Sequence, residues 1–442
     1  MQNKQEIDLL IEASWIIPVQ PSSTVLNDHA IAVQNGRIIA IEPVEAAREK
    51  FHASAHSRLD GHVVIPGLVN LHTHAAMTLL RGIGDDLPLM DWLSKHVWPA
   101  EGQHVSPQFV HDGALVACAE MLRGGITCFN DMYFFPEETG RAAIEAGQRA
   151  ALGVILIEFP TPYASDAQDY LRKGLAARDE LKGEPLLSFC MAPHAPYTVS
   201  DKSFEQIGTL ADQLQIPVHM HIHETRGEIE DSLKQYGVRP LKRLQRLGLL
   251  GPGLIAVHAV HLDDDEISEL AAQGCSVAHC PASNLKLASG FARVGKMLEA
   301  GINVGIGTDG AASNNRLDVL SELRLAALVA KAANDDAKTL PAFAALSMAT
   351  LSGARALGLD KEIGSIEIGK LADLTAVNLS AVELSPCYEP ASHLIYAAGR
   401  EHVSNVWVHG KQVLKNGRLS QIDDKELIAK ARNWQSRISA SF

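Results

Sequence analysis

The sequence predicts an α/β fold, a (β/α)8 barrel carrying a small β-sandwich domain that is formed from both chain ends. Between residues 65 and 364, apolar runs of four to eight residues alternate with stretches of helical length, which favours βα units around a parallel sheet. Near both ends, short apolar runs are broken by turn dipeptides such as Asn35-Gly36 and Asn416-Gly417, which are typical of hairpins. We therefore expect residues 1–64 plus 365–442 to form a composite β-sandwich domain and residues 65–364 to form the barrel.

Eight apolar runs account for the barrel strands. They are Ile65–His72, Ile126–Asp131, Leu152–Ile157, Leu186–Met191, Pro217–His223, Leu254–His258, Cys275–His279 and Asn303–Asp309. Eight strands with intervening helices fit a closed barrel better than an open sheet. Helices are predicted over Pro107–Arg123, from Ser200 onward, and over Pro341–Leu357, which leads back to the β domain.

The composition excludes several classes of protein. The chain has 442 residues, and 39 basic against 52 acidic residues give a net charge of −13, so neither nucleic acid nor an anionic membrane is an expected partner. Six scattered cysteines without a CxxC pair indicate a reducing compartment. The first 21 residues contain acidic residues and prolines where a signal peptide needs a basic start and an apolar core, so we expect no signal peptide, and no apolar run reaches 18 residues. We expect a cytoplasmic protein with a small-molecule substrate, and a homo-oligomer is compatible with the sequence.

Histidines and aspartates end most of the predicted strands. A single pair such as His72 and His74 is equally compatible with hydrogen-bonded structural histidines and with metal ligands, because His serves many roles. The same placement recurs on other strands, at His221, His223, His258, His279 and Asp309. Since the carboxyl ends of barrel strands meet at one mouth, the repetition predicts a metal site there.

The ligand set that we predict is His72, His74, His221 and Asp309. Three imidazoles and a carboxylate suit one zinc ion per subunit, or Fe²⁺ or another first-row divalent ion, with a position left for water. Glu224 follows His221 by three residues and is predicted to shuttle protons. Asp309 is also expected to take the proton of the attacking water, and His258 to orient that water. His219, deeper on the same strand face, is interpreted as a core residue.

These residues lie in motifs that resemble those of the amidohydrolase superfamily over nearly the whole chain. The motifs are PGLVNLHTH (66–74), HIHET (221–225), VHAVHL (257–262), HCPASN (279–284), GTDG (307–310) and GSIEIGKLADL (364–374). The resemblance implies that the ligands and the catalytic residues are those named above. A binuclear branch of the superfamily uses a carboxylated Lys on the fourth strand. That strand here, LLSFCM, contains no Lys, which favours a single metal ion.

Within the superfamily, HAAMTLLRGIGDDLPLMDWLSKHVWPAE (74–101) and MAPHAPYTVS (191–200) resemble the 5-methylthioadenosine/S-adenosylhomocysteine deaminases. This resemblance implies that Glu101 binds the ribose hydroxyls, that Trp92 walls the pocket and that His194 contacts the substrate. Arg149 matches loosely as a partner for the homocysteine carboxylate. The structural alternatives are a solvated lid residue for Glu101, a core aromatic for Trp92 and a surface helix residue for Arg149. His279 has no assigned role beyond bracing the loop that follows it.

The function expected from these residues is zinc-dependent hydrolytic deamination of an adenine nucleoside to the inosine analogue and ammonia. The expected substrates are 5′-methylthioadenosine, S-adenosylhomocysteine or adenosine. A guanine deaminase or an s-triazine hydrolase with the same metal site is the nearest alternative. Glu101 distinguishes a nucleoside deaminase from these two enzymes, because their substrates have no ribose for it to bind. A non-catalytic barrel scaffold is the alternative from another class.

Overall fold

The computed structural model describes residues 4–440. The first part of the chain forms strands β1 (Gln5–Ile16), β2 (Leu26–Gln34), β3 (Arg37–Pro43) and β4 (Phe51–Pro66), and the last part forms β13 (Leu374–Asn378), β14 (Val403–Val408), β15 (Lys411–Lys415) and β16 (Arg418–Leu419). All eight belong to one mixed sheet with the order β16-β15-β14-β13-β4-β1-β2-β3. The two ends are joined where β13 pairs antiparallel with β4. The predicted pairing of both chain ends into one β unit is confirmed.

The middle of the chain forms the predicted parallel barrel. Its strands are β5 (Leu68–Thr73), β6 (Ile126–Asp131), β7 (Arg149–Leu156), β8 (Leu187–Pro193), β9 (Val218–Ile222), β10 (Leu254–His258), β11 (Ser276–His279) and β12 (Asn303–Ile306), paired in that order. The barrel closes between its first and last strands through the backbone, because the N–H groups of Thr308 and Asp309 donate to the carbonyl of His72 at 3.1 and 3.0 Å. This closure brings the end of β12 beside the histidines of β5.

Helices connect the strands. They are α1 (Val44–Lys50), α2 (Leu89–Trp92), α3 (Trp98–His104), α4 (Pro107–Arg123), α5 (Pro136–Ala146), α6 (Ala167–Leu181), α7 (Asp201–Leu214), α8 (Arg226–Tyr236), α9 (Pro240–Arg246), α10 (Asp264–Ala272), α11 (Pro281–Lys286), α12 (Val294–Glu299), α13 (Val319–Ala333), α14 (Ala342–Met348), α15 (Leu351–Ala356), α16 (Pro390–Tyr396) and α17 (Asp424–Ser439). Short 3₁₀ helices cover Ala75–Leu80, Val382–Leu384 and Arg400–His402, and a π-helical turn, Leu93–Val97, joins α2 to α3. The predicted helix Pro107–Arg123 is confirmed, and Ser200 caps α7 as the sequence suggested.

One predicted helix is interrupted. The stretch 341–357 forms α14 and α15 instead of a single helix, because the backbone leaves the helical conformation at Thr350, with φ −133° and ψ −93°. The carbonyl of the preceding Ala349 accepts a hydrogen bond from the N–H of Val69 in β5, at 2.7 Å. A long-range contact to the barrel therefore replaces the local helical bond.

The largest apolar cluster extends from the barrel into the end segments, so the domain boundaries at residues 64 and 365 stay a prediction. Helix α17, which the sequence analysis did not predict, packs against α4. The indole Nε1 of Trp434 donates to the buried carboxylate of Asp112 at 2.9 Å, and the ring of Trp434 lies edge-on to Phe109. Within residues 4–440, no helix is both long enough and apolar enough to cross a membrane.

Candidate active site

Three histidines and one aspartate converge at the carboxyl ends of the barrel strands. His72 lies in β5 and His74 directly follows it, His221 lies in β9, and Asp309 follows β12. The Nε2 atoms of His72 and His74 each lie 3.3 Å from Oδ1 of Asp309, and Nε2 of His72 lies 3.3 Å from Nε2 of His221. The donor atoms fall into two overlapping groups that can each hold a divalent metal ion, His72 with His74 and Asp309, and His72 with His221 and His258.

The orientation of the rings fits a metal as well. Nδ1 of His74 donates to the carbonyl of Met132 at 2.6 Å, and Nδ1 of His221 donates to the carbonyl of His194 at 2.8 Å. A histidine that donates through Nδ1 keeps its lone pair on Nε2, and ligating histidines are usually held by such a bond through their other nitrogen. The Nε2 atoms of both rings are therefore the ones that face Asp309 and His72.

The carboxylate of Asp309 is held by three donors that the sequence analysis missed. Ser283 and Ser313 each donate a hydroxyl to Oδ2 at 2.6 Å, and the N–H of Gly310 donates to Oδ1 at 2.7 Å. Burial raises the pKa of Asp309, but the two neighbouring histidines outweigh this effect and hold the pKa well below its usual value. The side chain is therefore an ionised acceptor with a fixed orientation.

Two further polar side chains lie beside this group. Nε2 of His258, which ends β10, is 3.9 Å from Oε2 of Glu224. Nδ1 of His258 donates to Oδ1 of Asn284 at 2.8 Å, which leaves Nε2 free to accept. Burial raises the pKa of Glu224 above its usual value. A carboxyl group with a raised pKa is suited to exchange a proton near neutral pH.

A cavity of about 380 Å³ opens onto the metal-binding group. Of the residues predicted to bind substrate, Trp92, Glu101 and His194 line this cavity. Oε1 of Glu101 accepts a hydrogen bond from the hydroxyl of Tyr133 at 2.7 Å. Burial raises the pKa of Glu101 to about 7, against the opposing effects of that hydrogen bond and of His74. The cavity thus places a buried carboxyl group in the same space as the metal-binding group.

The wall that carries Trp92 and Glu101 is one continuous helical segment, formed by α2, the π-helical turn and α3. Trp92 is buried, and its Nε1 donates to the carbonyl of Ile83 at 2.9 Å. π-helical turns shift the side chains that follow them around the helix axis and occur frequently at functional sites. His194, which also lines the cavity, is hydrogen-bonded through Nδ1 to the hydroxyl of Thr198 at 3.0 Å.

The prediction that Arg149 binds the substrate is wrong. Arg149 is the first residue of β7, at the amino end of the strand, and seven further residues at ~3.3 Å each place it roughly 23 Å from the carboxyl end. Its guanidinium is buried and forms two hydrogen bonds to the carboxylate of Asp373, at 3.0 and 3.2 Å. The alternative of a surface helix residue is wrong as well. Arg149 joins the barrel to the sheet formed by the chain ends.

Three further histidines, His219, His223 and His279, are buried. Nε2 of His219 lies 2.9 Å from Nδ1 of His72, which matches its interpretation as a core residue beneath the site. His223 is buried, and its Nε2 accepts the N–H of Leu241 at 3.1 Å. His279 is buried and belongs to neither group of potential metal ligands found in residues 4–440.

A closed parallel barrel with histidines and an aspartate converging at the carboxyl ends of its strands defines a metal-dependent hydrolase. The chain belongs to the amidohydrolase family, whose model matches residues 63–413. The predicted superfamily and the predicted class of enzyme are confirmed.

Relatives match over the whole chain. A 5-methylthioadenosine/S-adenosylhomocysteine deaminase of Saccharophagus degradans is 44% identical over 440 residues, which cover 100% of this chain and 99% of that protein. The protein of the same name from Teredinibacter turnerae is also 44% identical, with 100% of both chains covered. The resemblance to this group of deaminases, which the segments 74–101 and 191–200 indicated, therefore extends over the full length.

Solved structures agree in fold. An adenosine deaminase from Xanthomonas campestris with bound zinc is 50% identical and superposes with a TM-score of 0.98, covering 99% of this chain and 100% of that one. An atrazine chlorohydrolase from Arthrobacter aurescens, complexed with zinc, is 26% identical, with a TM-score of 0.89 and coverage of 96% and 99%. Both neighbours hold zinc, and this chain presents a His/Asp group that can hold a divalent metal.

Proposed function

We propose that this protein is a zinc-dependent deaminase that hydrolyses the 6-amino group of adenine nucleosides to the inosine analogue and ammonia. The observation that supports this proposal most strongly is the buried carboxyl group of Glu101 in the cavity that opens onto the metal-binding group. A carboxylate can accept hydrogen bonds from two neighbouring hydroxyls at once, and such charge-assisted bonds are strong. A ribose offers those hydroxyls.

The residues proposed to hold the metal are His72, His74, His221 and Asp309. When bound, a divalent ion supplies Lewis acidity that brings the pKa of water from ~15.7 to roughly 7. Asp309 is ionised and is held in a fixed orientation, so its carboxylate can receive the proton of the attacking water. Nε2 of His258, freed as an acceptor by Asn284, orients that water.

Glu224 acts on the purine. Its raised pKa lets it donate a proton to N1 of the ring, which makes C6 more electrophilic. Once water has added to C6, Asp309 passes the proton that it took from the water to the departing amine, and the carboxylate of Glu224 regains its proton from the new hydroxyl group as the C6 carbonyl forms. Oε2 of Glu224 lies 3.9 Å from Nε2 of His258, so the proton donor to the ring and the group that orients the water face the same part of the cavity.

The nearest alternatives, a guanine deaminase or an s-triazine hydrolase, use a substrate without ribose. We therefore propose to incubate the zinc-loaded protein with 5′-methylthioadenosine, S-adenosylhomocysteine, adenosine, adenine, guanine and an s-triazine, and to measure ammonia, with chloride release added for a chlorinated triazine. Ammonia from the nucleosides and not from the free bases is the expected result. Turnover of guanine or of the triazine alone would contradict the proposal. Absence of turnover with every compound, despite bound zinc, would favour the scaffold alternative.

A further inference from the structure

A buried glutamate, Glu322, lies behind the residues that hold Asp309 and His258. It is 2% exposed and belongs to the first turn of α13, and among residues 4–440 it is not one of those that line the cavity. We propose that Glu322 is a positioning residue, which fixes the two segments that orient Asp309 and His258 and thereby supports zinc binding and turnover. The inference rests on the proposed function in one respect, because it takes Asp309 and His258 to act on the attacking water.

Each oxygen of the Glu322 carboxyl group accepts a hydrogen bond from a different segment. The backbone N–H of Ala282, in α11, donates to Oε2 at 3.0 Å. Nδ2 of Asn314, in the segment after β12, donates to Oε1 at 2.7 Å. The same Nδ2 atom also donates to the carbonyl of Thr308 at 2.7 Å. One side chain of α13 therefore joins α11 to the segment after β12.

The chain neighbours of these two contacts hold the carboxylate of Asp309. Ser283 follows Ala282 directly, and Ser313 directly precedes Asn314. The hydroxyls of both serines donate to Oδ2 of Asp309 at 2.6 Å. A shift of either segment would move one of these donors away from Asp309.

The contact with α11 reaches His258 as well. Asn284 lies two residues after Ala282 in this six-residue helix, and its Oδ1 accepts the hydrogen bond from Nδ1 of His258 at 2.8 Å. A displacement of α11 would therefore disturb Asp309 and His258 together. Glu322 is thus connected to the proposed proton acceptor and to the residue that orients the water.

Packing alone does not account for an acidic side chain at this place. Burial of a carboxyl group is unfavourable unless its oxygens accept hydrogen bonds, and an apolar side chain of the same size would fill the space without that requirement. Side chains that orient the ligands of a metal from behind typically change metal affinity or activity by about 10- to 100-fold when they are removed. We expect the loss of Glu322 to have an effect of this size.

The first experiment measures the zinc dissociation constant of the metal-free full chain by competition with a chelator, without substrate. Glu322→Leu removes both acceptor oxygens at a similar size and should raise the constant by about tenfold or more. Glu322→Gln keeps one acceptor oxygen, so its constant should lie between those of the wild-type protein and Glu322→Leu. If Glu322→Leu does not fold, Glu322→Gln provides the test. Zinc binding as tight as in the wild-type protein would overturn the inference.

Asp318→Ala is the matched control. Asp318 is also 2% exposed and caps the start of the same helix, but its carboxylate accepts hydrogen bonds from Ser321 and Arg316 instead of from α11. Its removal should lower the stability of the protein, measured by urea denaturation, and leave the zinc dissociation constant unchanged. An equal weakening of zinc binding in Asp318→Ala would show that Glu322 has no specific role.

The second experiment measures kcat and KM at saturating zinc, with a nucleoside that the wild-type protein deaminates. Glu322→Leu should lower kcat by about tenfold or more with KM nearly unchanged, because Glu322 acts through other residues and does not touch the substrate. Its effect on kcat should be smaller in a Ser283→Ala background, whereas the effects of Asp318→Ala and Ser283→Ala should add. Additive effects of Glu322→Leu and Ser283→Ala would overturn the inference. Absence of ammonia from the wild-type protein would overturn the proposed function, while the zinc measurement would still test Glu322.

Discussion

The carboxylate of Glu228 accepts a hydrogen bond from the backbone N–H of Glu224 at 2.9 Å. Its other oxygen accepts the N–H of the preceding residue, His223, at 3.1 Å. His223 has φ +55°, a left-handed conformation that is uncommon outside glycine. Burial raises the pKa of Glu228 to about 8, although both backbone hydrogen bonds oppose this rise. Glu228 thus fixes the turn that aims Glu224 at the cavity.

We predict that Glu228→Gln lowers kcat by about tenfold or more and leaves the metal content unchanged. The amide keeps one acceptor oxygen but turns an NH2 group toward the second N–H, and leaving that buried donor unsatisfied costs ~1–3 kcal/mol. Thr225→Ala is the control, because the hydroxyl of Thr225 caps the same helix through the N–H of Glu228, whereas the N–H of Glu224 donates to Glu228. Loss of that cap should cost ~1 kcal/mol of stability and little activity. A Glu228→Gln variant with normal kcat would reduce Glu228 to a capping residue.

Glu224→Gln should retain the metal and lose activity. The amide preserves the size of the side chain but cannot shuttle a proton, so we expect kcat to fall by the ~10²–10⁴ that general acid/base groups typically contribute. Zinc content by elemental analysis and steady-state kinetics on the same preparation separate this role from ligation. A variant that keeps near-normal kcat would remove Glu224 from the mechanism.

The proposed ligands should behave differently. His74→Ala and Asp309→Ala each remove a donor from the group of four, so both variants should lose zinc and turnover together. His279→Ala is a matched control, since His279 is also buried and also ends a barrel strand but lies outside the metal-binding groups. Full zinc occupancy in the first two variants, or zinc loss in the control, would contradict the ligand assignment.

The sequence predicted the barrel well because a strand buried on both faces is a continuous apolar run. The strands Ile126–Asp131 and Leu254–His258 have the predicted bounds, and each ends in the polar residue that marks the mouth. The convergence of His72, His74, His221 and Asp309 was predicted for the same reason. A closed parallel barrel brings every carboxyl end of a strand to one place, whatever the separation in sequence.

What the sequence could not predict depends on contacts between distant residues. The hydroxyls of Ser283, in α11, and of Ser313, in the segment after β12, donate to Asp309, and no periodicity of the sequence predicts such hydrogen bonds. Arg149 was misplaced because Arg149 and the two alanines after it carry too little hydrophobicity to show that β7 begins there. Its partner, Asp373, is more than 200 residues away, so the pair becomes visible only in the fold.

The corrected position of Arg149 leads to a prediction about stability. Arg149→Ala leaves the buried carboxylate of Asp373 without its cation, and breaking a buried pair in this way costs ~3–5 kcal/mol. Arg37→Ala removes a comparable contact that is about half exposed, with Glu362, and should cost no more than ~1 kcal/mol. Urea denaturation measures both. Neither variant should change the ratio of kcat/KM between S-adenosylhomocysteine and 5′-methylthioadenosine; a selective loss in Arg149→Ala would restore Arg149 to substrate binding.

The last prediction concerns how Glu101 recognises the ribose. If its carboxylate accepts bonds from the 2′- and 3′-hydroxyls, a 2′,3′-dideoxy substrate leaves this buried group with only the hydrogen bond from Tyr133, at a cost of roughly 1–3 kcal/mol or more. Glu101→Ala removes the group that suffers this loss, so the variant should discriminate less between the ribose and dideoxyribose substrates, with unchanged zinc content. The effects of the two changes on kcat/KM should therefore be non-additive.

The discrimination between the ribose and dideoxyribose substrates should also depend on pH. Burial raises the pKa of Glu101 to about 7, so the carboxylate is charged above that pH and protonated below it. Because bonds to a charged acceptor are the stronger ones, discrimination against the dideoxy substrate should be largest above pH 7 and should decline as the pH falls through 7. Glu101→Gln, which does not titrate, provides the control and should discriminate equally at pH 6 and pH 8. If the losses of kcat/KM caused by Glu101→Ala and by the dideoxy substrate simply add at pH 8, Glu101 does not bind the ribose. A substrate without ribose would then be favoured.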